Sequence, residues 1–175
     1  PAMVFWYRTS PRGLEPDSPS PQVTPTDPAM TVTGQSLVVV DTRGRLVEFR
    51  RVPPQRDASG GESAATDWNP MFRAAGLEPG AFTPVPPDWT PKDYADTRVA
   101  WEGASPDAAD VRLRIEAAAY RGRITSVYVL GPWSRPRAQQ PVTPSRATSI
   151  LRLFALVLWT SVLAGSTLLA RHHIL

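Results

Sequence analysis

The sequence predicts an α+β fold: a small antiparallel sheet of about five strands with one short helix on a face, followed by a C-terminal transmembrane helix. Three observations predict it. Period-two segments flank tight polar turns, and no βαβ alternation occurs. A single internal stretch combines helical apolar spacing with start and stop signals. Near the C-terminus, residues 153–170 form a run of 18 residues without a formal charge.

At 175 residues the chain is long enough for one domain with a real core plus flanking segments. Its 20 prolines fall mostly outside the segments that look regular, so long irregular connections are expected. Of 19 basic residues Lys92 is the sole lysine, and the net charge of +3 is too small to imply a nucleic-acid partner. The absence of cysteine excludes disulfides, thiolate metal sites and cysteine nucleophiles. A start at Pro1 rather than Met leads us to expect a piece of a longer polypeptide.

Residues 1–29 divide into an aromatic stub, Met3 to Tyr7, and a proline-rich linker. The stub suits either an interfacial aromatic belt beside a preceding membrane segment or a short apolar strand of the fold. From Pro11 to Pro28 the prolines remove donors and bias their predecessors toward extended geometry, which predicts linker or polyproline-like coil.

The α+β domain is expected over residues 30–135. Leu37–Val40 and Arg45–Phe49 flank Asp41-Thr42-Arg43-Gly44, with Asp opening and Gly closing a turn, and so form a hairpin. Thr31–Thr33 is expected to add a short strand before it. Strict alternation along the second strand puts Leu46 with Glu48 on one face and Val47 with Phe49 on the other. After a flexible loop at 53–66, Asp67 is the expected N-cap of a helix from Trp68 to Ala75, with Pro70 in its first turn and Gly76 closing it. Trp68, Met71, Phe72 and Ala75 fall on one face. In the proline-broken stretch 77–96, Phe82, Trp89 and Tyr94 are expected to pin irregular chain over a core edge. Residues 97–103 suggest a strand, and 111–133 a second, longer hairpin turning at Arg121-Gly122. There Val111, Leu113, Ile115, Ala117 and Ala119 share one face, while Arg112, Arg114 and Glu116 form what alternation predicts to be the wet one.

A polar linker at 136–149 leads to the expected membrane helix, 150–171, and a flank at 172–175. Eighteen residues give about 27 Å of helix against a hydrocarbon core of about 30 Å. Thr160, Ser161, Gly165, Ser166 and Thr167 are small uncharged residues of a kind membrane helices tolerate, and Ser161 with Gly165 forms a small-xxx-small pair.

Material for catalysis is sparse. His172 and His173 are adjacent, so a helix could not aim both at one metal. Asp88, Asp93 and Asp96 are clustered in sequence, where solvated turn residues are the simple interpretation and a cation site the sharper one. No glycine-rich phosphate loop, nucleophile elbow or dinucleotide fingerprint occurs. No catalytic, cofactor-binding or metal residue is assigned, and an enzyme is not expected. A carboxylate buried beside an arginine in a cleft would reopen that class. Arg112, Arg114, Arg121 and Arg123 are balanced by Glu102, Asp107, Asp110 and Glu116, so nucleic acid is not an expected partner.

The phrases "VTPTDPAMTVTGQSLVVVDTRGRLVEFRRVPPQ", "DWNPMFRAAGLEPGAFTPVPPDWTP", "RVAWEG", "LRIEAAAYRGR" and "VLGPWSRP" resemble the membrane-linked region that follows the catalytic domain of certain large bacterial serine/threonine protein kinases. The likeness covers most of residues 22–137 and continues into the hydrophobic segment. It implies a non-catalytic, membrane-tethered accessory or sensor module. ATP and magnesium would belong to the parent kinase domain, because none of the kinase motifs is present here to carry over. The alternative is a stand-alone membrane-anchored interaction domain with no kinase attached. The implied partners are the lipid bilayer and other transmembrane helices of the same chain, with the ligand unknown. The implied location is the bacterial inner membrane. Arg135, Arg137, Arg146 and Arg152 before the span favour a cytoplasmic domain. The stub, as a second membrane boundary, and the arginine-rich loop of similar proteins favour an extracytoplasmic one, which is the expectation adopted.

Overall fold

Alternation builds the strands, and turn chemistry sets their order. The computed structural model describes residues 3–19, 22–56, 64–135, 150, 153–164 and 166. The chain divides into two units, Pro1–Arg135 and Pro136–Leu175. The first contains β1 (Val4–Thr9), β2 (Ser36–Asp41), β3 (Leu46–Arg51), α1 (Asn69–Ala75), β4 (Phe82–Val85), β5 (Thr97–Ser105), β6 (Ala108–Tyr120) and β7 (Arg123–Leu130). The strands form one seven-stranded sheet in the order β1-β2-β3-β7-β6-β5-β4, and every neighbouring pair is antiparallel.

The expected fold class is therefore corrected in its sheet: seven strands replace about five, and the unit is mostly sheet with α1 and a 3-10 turn at Pro79–Ala81. The two additional strands come from segments that composition disguises. The aromatic stub is β1, paired with β2 from Val4↔Asp41 to Thr9↔Ser36, so of its two interpretations the strand is the one observed. Phe82 opens β4 instead of anchoring irregular chain, although Pro84 lies within that strand, because β4 is an edge and needs donors on one side only. Thr31–Thr33 adds no strand. The Gln35 side chain takes up the N–H groups of Thr31 and Val32 at 2.9 and 3.0 Å, which folds them into a turn.

The hairpin turns follow the sequence. At the first, Gly44 N–H donates to the Asp41 carbonyl, and Asp41 Oδ1 accepts from the N–H groups of Arg43 and Arg45. At the second, Arg121 and Gly122 take φ of 50° and 72°, the mirror-image turn that suits strand twist. Strict alternation fails in β3, where the register shifts between Val39 and Val40 so that Val40 pairs with Leu46. This bulge returns Leu46 to the side of Phe49, and both pack on the core.

The two faces of the sheet differ. On one, the row Phe49, Val127, Ala117, Val99 and the row Val129, Ile115, Trp101 receive Met71, Phe72 and Ala75 of α1. Trp101 meets the rings of Trp68 and Phe72 at 5.7 and 5.2 Å, and Phe72 meets Phe82 at 5.8 Å. Pro70 sits in the first turn of α1, and Gly76 caps it in the left-handed region. Asp67 is not the N-cap. That position is Trp68, and Asp67 Oδ1 instead accepts from the Asn69 N–H at 3.0 Å.

The membrane helix is the second correction. In the second unit, described helix runs over 153–164, about 18 Å at the usual rise, against about 30 Å of hydrocarbon. Among the described residues no helix is long and apolar enough to cross a membrane. Hydropathy reports a tendency to bury and does not fix the length of a helix. Within 153–164 the Thr160 and Ser161 hydroxyls both donate to the Val157 carbonyl. With no spanning helix among the described residues, the placement in a bacterial inner membrane, and of 30–135 outside the cytoplasm, loses its basis. Gly165, Arg171, His172, His173 and the linker at 136–149 lie outside the described residues.

Two substitutions test this description. A Cβ at Gly103 would lie 2.6 Å from the Ala81 carbonyl oxygen and 2.7 Å from the Phe82 ring, so Gly103→Ala is expected to destabilise by about 1–3 kcal/mol in urea unfolding. An unchanged midpoint would refute the packing of β4 on β5. Arg121 holds a positive φ better suited to Asn, and Arg121→Asn is expected to stabilise by about 0.5–1 kcal/mol in the same measurement. A lowered midpoint would argue against the mirror-image turn.

Candidate functional site

The face opposite α1 is built from the alternate residues of the same strands. One row is Leu37, Arg50, Ser126, Ala118 and another is Val39, Glu48, Tyr128, Glu116, Ala100. Alternation predicts this side to be wet, yet Glu116 is 3 % exposed and Ser126 2 %. The proline-rich stretches cause the difference. They provide too few regular hydrogen bonds to form strands, but they lie on the sheet and attach to it through their polar groups.

Arg114 of β6 is the hub at one end. Its Nε donates to Glu116 Oε1 and its Nη1 to Glu102 Oε1, each at 2.7 Å, while Nη2 reaches the Pro86 carbonyl and lies 3.2 Å from Asp88 Oδ2. Glu116 Oε1 also accepts the Asp88 N–H at 3.0 Å, so segment 86–88 is fastened to the sheet from two sides. Burial works against the Arg114 charge, but Glu116 and Glu102 prevail and hold its guanidinium above the usual range. Beside this hub an open cleft of about 300 Å³ is lined by Trp89, Glu102, Arg112, Arg114, Leu130 and Ser134, among others.

A second node lies further across the sheet. Arg50 Nη2 pairs with Asp93 Oδ2 at 2.9 Å, with both side chains about one-tenth exposed. Trp89 and Tyr128 stack at 6.2 Å between the nodes, which fixes the covering segment in register. Arg8 of β1 is 7 % exposed and donates through Nη1 to the Thr24 carbonyl at 2.8 Å. Burial, and then the Arg50 charge, hold Arg8 less basic than an ordinary arginine, while Asp27 opposes them.

The three aspartates that cluster in sequence are thus separated in space by their partners. Asp88 goes to Arg114, Asp93 to Arg50, and Asp96 accepts from Thr97 Oγ1 and the Arg121 N–H. They do not form a cation site. Among the described residues no group of three or more His, Cys, Asp or Glu is placed to hold a metal. Carboxylates buried beside arginines, the feature that would reopen an enzymatic class, are present as Asp93–Arg50 and Glu116–Arg114. Glu116 fastens the covering chain through an oxygen that already accepts two donors, and Asp93 ties its segment to Arg50.

A third distinctive feature is an edge. β1 ends the sheet, and Val4, Phe5, Trp6 and Tyr7 are 42 %, 55 %, 41 % and 68 % exposed. Phe5 and Tyr7 stand opposite Val40 and Val38, on the side that α1 covers elsewhere. The aromatics of the stub stand out in the sequence, whereas the burial of Arg8 and Arg50 does not, since an arginine in a strand normally marks a solvated face.

Comparison with known protein families, curated proteins and solved structures finds no match to this chain.

Tyr128 provides a pH test of the covered face. Burial, aided by the Glu48 and Asp93 charges and opposed by Arg50, pushes its hydroxyl from 10.0 up to about 12. The folded state thus favours the protonated phenol. Its contribution to stability is intact below about pH 10 and is lost as pH rises through about 12. Urea midpoints of the wild type should fall across that window more steeply than those of Tyr128→Phe. Parallel profiles would refute the burial of this face.

Proposed function

We propose that this chain is a non-catalytic accessory module that associates with a second copy of itself by edge-to-edge pairing of β1. On the resemblance of its phrases, the catalytic domain it serves is that of a bacterial serine/threonine protein kinase. The observation that carries the first part is the contrast between the two edges. β4 is four residues long and carries Pro84, both of which discourage pairing. β1 is six residues long, with neither proline nor lysine, and presents exposed aromatic side chains, while among the described residues nothing pairs with its outer side. An exposed apolar edge of that kind is a template for another strand.

Self-pairing suits its sequence. Antiparallel alignment about a two-fold axis at Trp6 sets Phe5 against Tyr7 and Val4 against Arg8 of the other copy, so no like charges oppose one another. Aromatic cross-strand pairs are among the more favourable, contributing roughly 0.2–1 kcal/mol each.

Light scattering of the full chain should give a dimer, and the double variant Phe5→Lys, Tyr7→Lys should give a monomer with an unchanged circular dichroism spectrum. Its lysines would face each other in both copies. Association that survives both lysines, as it would if the apolar C-terminal run caused it, sinks the edge-pairing proposal. The kinase assignment has its own test: the reading frame extended upstream should encode a glycine-rich loop, an HRD loop and a DFG aspartate. Their absence removes the kinase and leaves edge pairing standing.

A further inference from the structure

Arg8 and Arg50 both stand opposite Leu37, from β1 on one side and β3 on the other. All three are at least nine-tenths buried, at 7 %, 8 % and 2 % exposure. A guanidinium carries five N–H donors in a fixed plane and no acceptor, so its neighbours must supply oxygens. Arg8 receives one, the Thr24 carbonyl on Nη1, while its Nε and Nη2 are buried and without a partner. Those two nitrogens share one edge of the guanidinium plane. It is the edge that meets both oxygens of a carboxylate or phosphate in parallel hydrogen bonds.

Charge accounting gives the same answer as geometry. Asp93 is engaged by Arg50, whose Nε is also buried without a partner. Asp27, the carboxylate whose charge favours Arg8, directs its oxygens to the N–H groups of Asp17 and Ser18 at 2.7 and 3.2 Å. Arg8 therefore has no carboxylate within ion-pairing distance among the described residues, and a buried cation in that state is unfavourable. The contrast with Arg114 is informative, because there every nitrogen of the guanidinium has an oxygen.

We propose that Arg8 anchors an oxyanion-binding site: a ligand bearing a carboxylate or a phosphate docks two oxygens on the Nε–Nη2 edge, within the added positive field of Arg50. On its remaining nitrogen, Nη1, Arg8 is held by the Thr24 carbonyl, beside the turn closed by Thr24 N–H to the Asp27 carbonyl at 2.8 Å, so the anchoring contact is loop backbone. The site is independent of edge pairing, since it uses the inner face of β1.

Inorganic phosphate and acetate, titrated into the full chain at constant ionic strength against chloride, test the proposal. Thermal unfolding should show a saturable rise in midpoint, and one arginine Nε–H resonance should shift in step with it. In Arg8→Lys, which keeps the charge and loses the two-pronged edge, apparent affinity should fall at least tenfold. A response to phosphate alone assigns a phosphoryl ligand, to acetate alone a carboxylate, and to both a general oxyanion site. No saturable response to either anion overturns the proposal. An equal response in Arg8→Lys does the same. Should Arg8→Lys fail to fold, the wild-type Nε–H titration decides, because a non-saturating or absent shift refutes the site.

Discussion

One seven-residue helix has to serve a sheet of seven strands, and most of the structure is a response to that mismatch. A helix of that length covers roughly 10 Å, about the width of two or three strands. Its apolar face meets residues of β3, β7, β6 and β5, with Phe82 completing the cluster from β4. Among the described residues of the first unit, no helix packs on the opposite face. It is covered by chain too rich in proline to form regular structure, and such chain brings its own unpaired carbonyl and N–H groups with it.

This explains why the second face is polar and yet buried. A proline-rich cover cannot be held by an apolar layer alone, because its backbone groups need partners. Arginine is suited to the task, since one guanidinium can engage a backbone carbonyl and several carboxylates at once. Arg114 joins β6, β5 and the 86–88 segment in this way. Arg50 does so for the segment around Asp93, and Arg8 for the segment around Thr24. The turns at 41–45 and 105–108 are joined likewise, with Arg43 and Arg45 both reaching Asp107. Asp107 is held below the usual carboxylate range by the Arg45 hydrogen bond, with the Arg43 charge adding to it.

Edge and buried face meet in β1. Its outer edge and its aromatics are exposed, while Arg8, on the same six residues, is buried. A strand so short is held by its ladder to β2 and by what packs on its inner face.

Local features were legible in the sequence. Asp41-Thr42-Arg43-Gly44 and Arg121-Gly122 specify turns because glycine accepts the positive φ each requires. Leu113, Ile115, Ala117 and Ala119 alternate because one face of β6 packs on α1, whose Met71, Phe72 and Ala75 follow the helical period. Other features depended on chain that is distant in sequence. The stub becomes a strand only because β2, more than twenty residues later, offers it a ladder, and the Val39/Val40 bulge appears only in pairing. Asp88, Asp93 and Asp96 look like one cluster until Arg114, Arg50 and Arg121 draw them apart. Hydropathy sums over the terminal run, whereas the helix seen among the described residues, 153–164, is too short to cross a membrane. The sequence by itself determined which residues turn, alternate and avoid regular structure, since these are properties of a few neighbouring side chains. Tertiary structure alone decided which strands form edges, which polar face is covered and which arginine nitrogens lack a partner, since each depends on contacts between segments far apart along the chain.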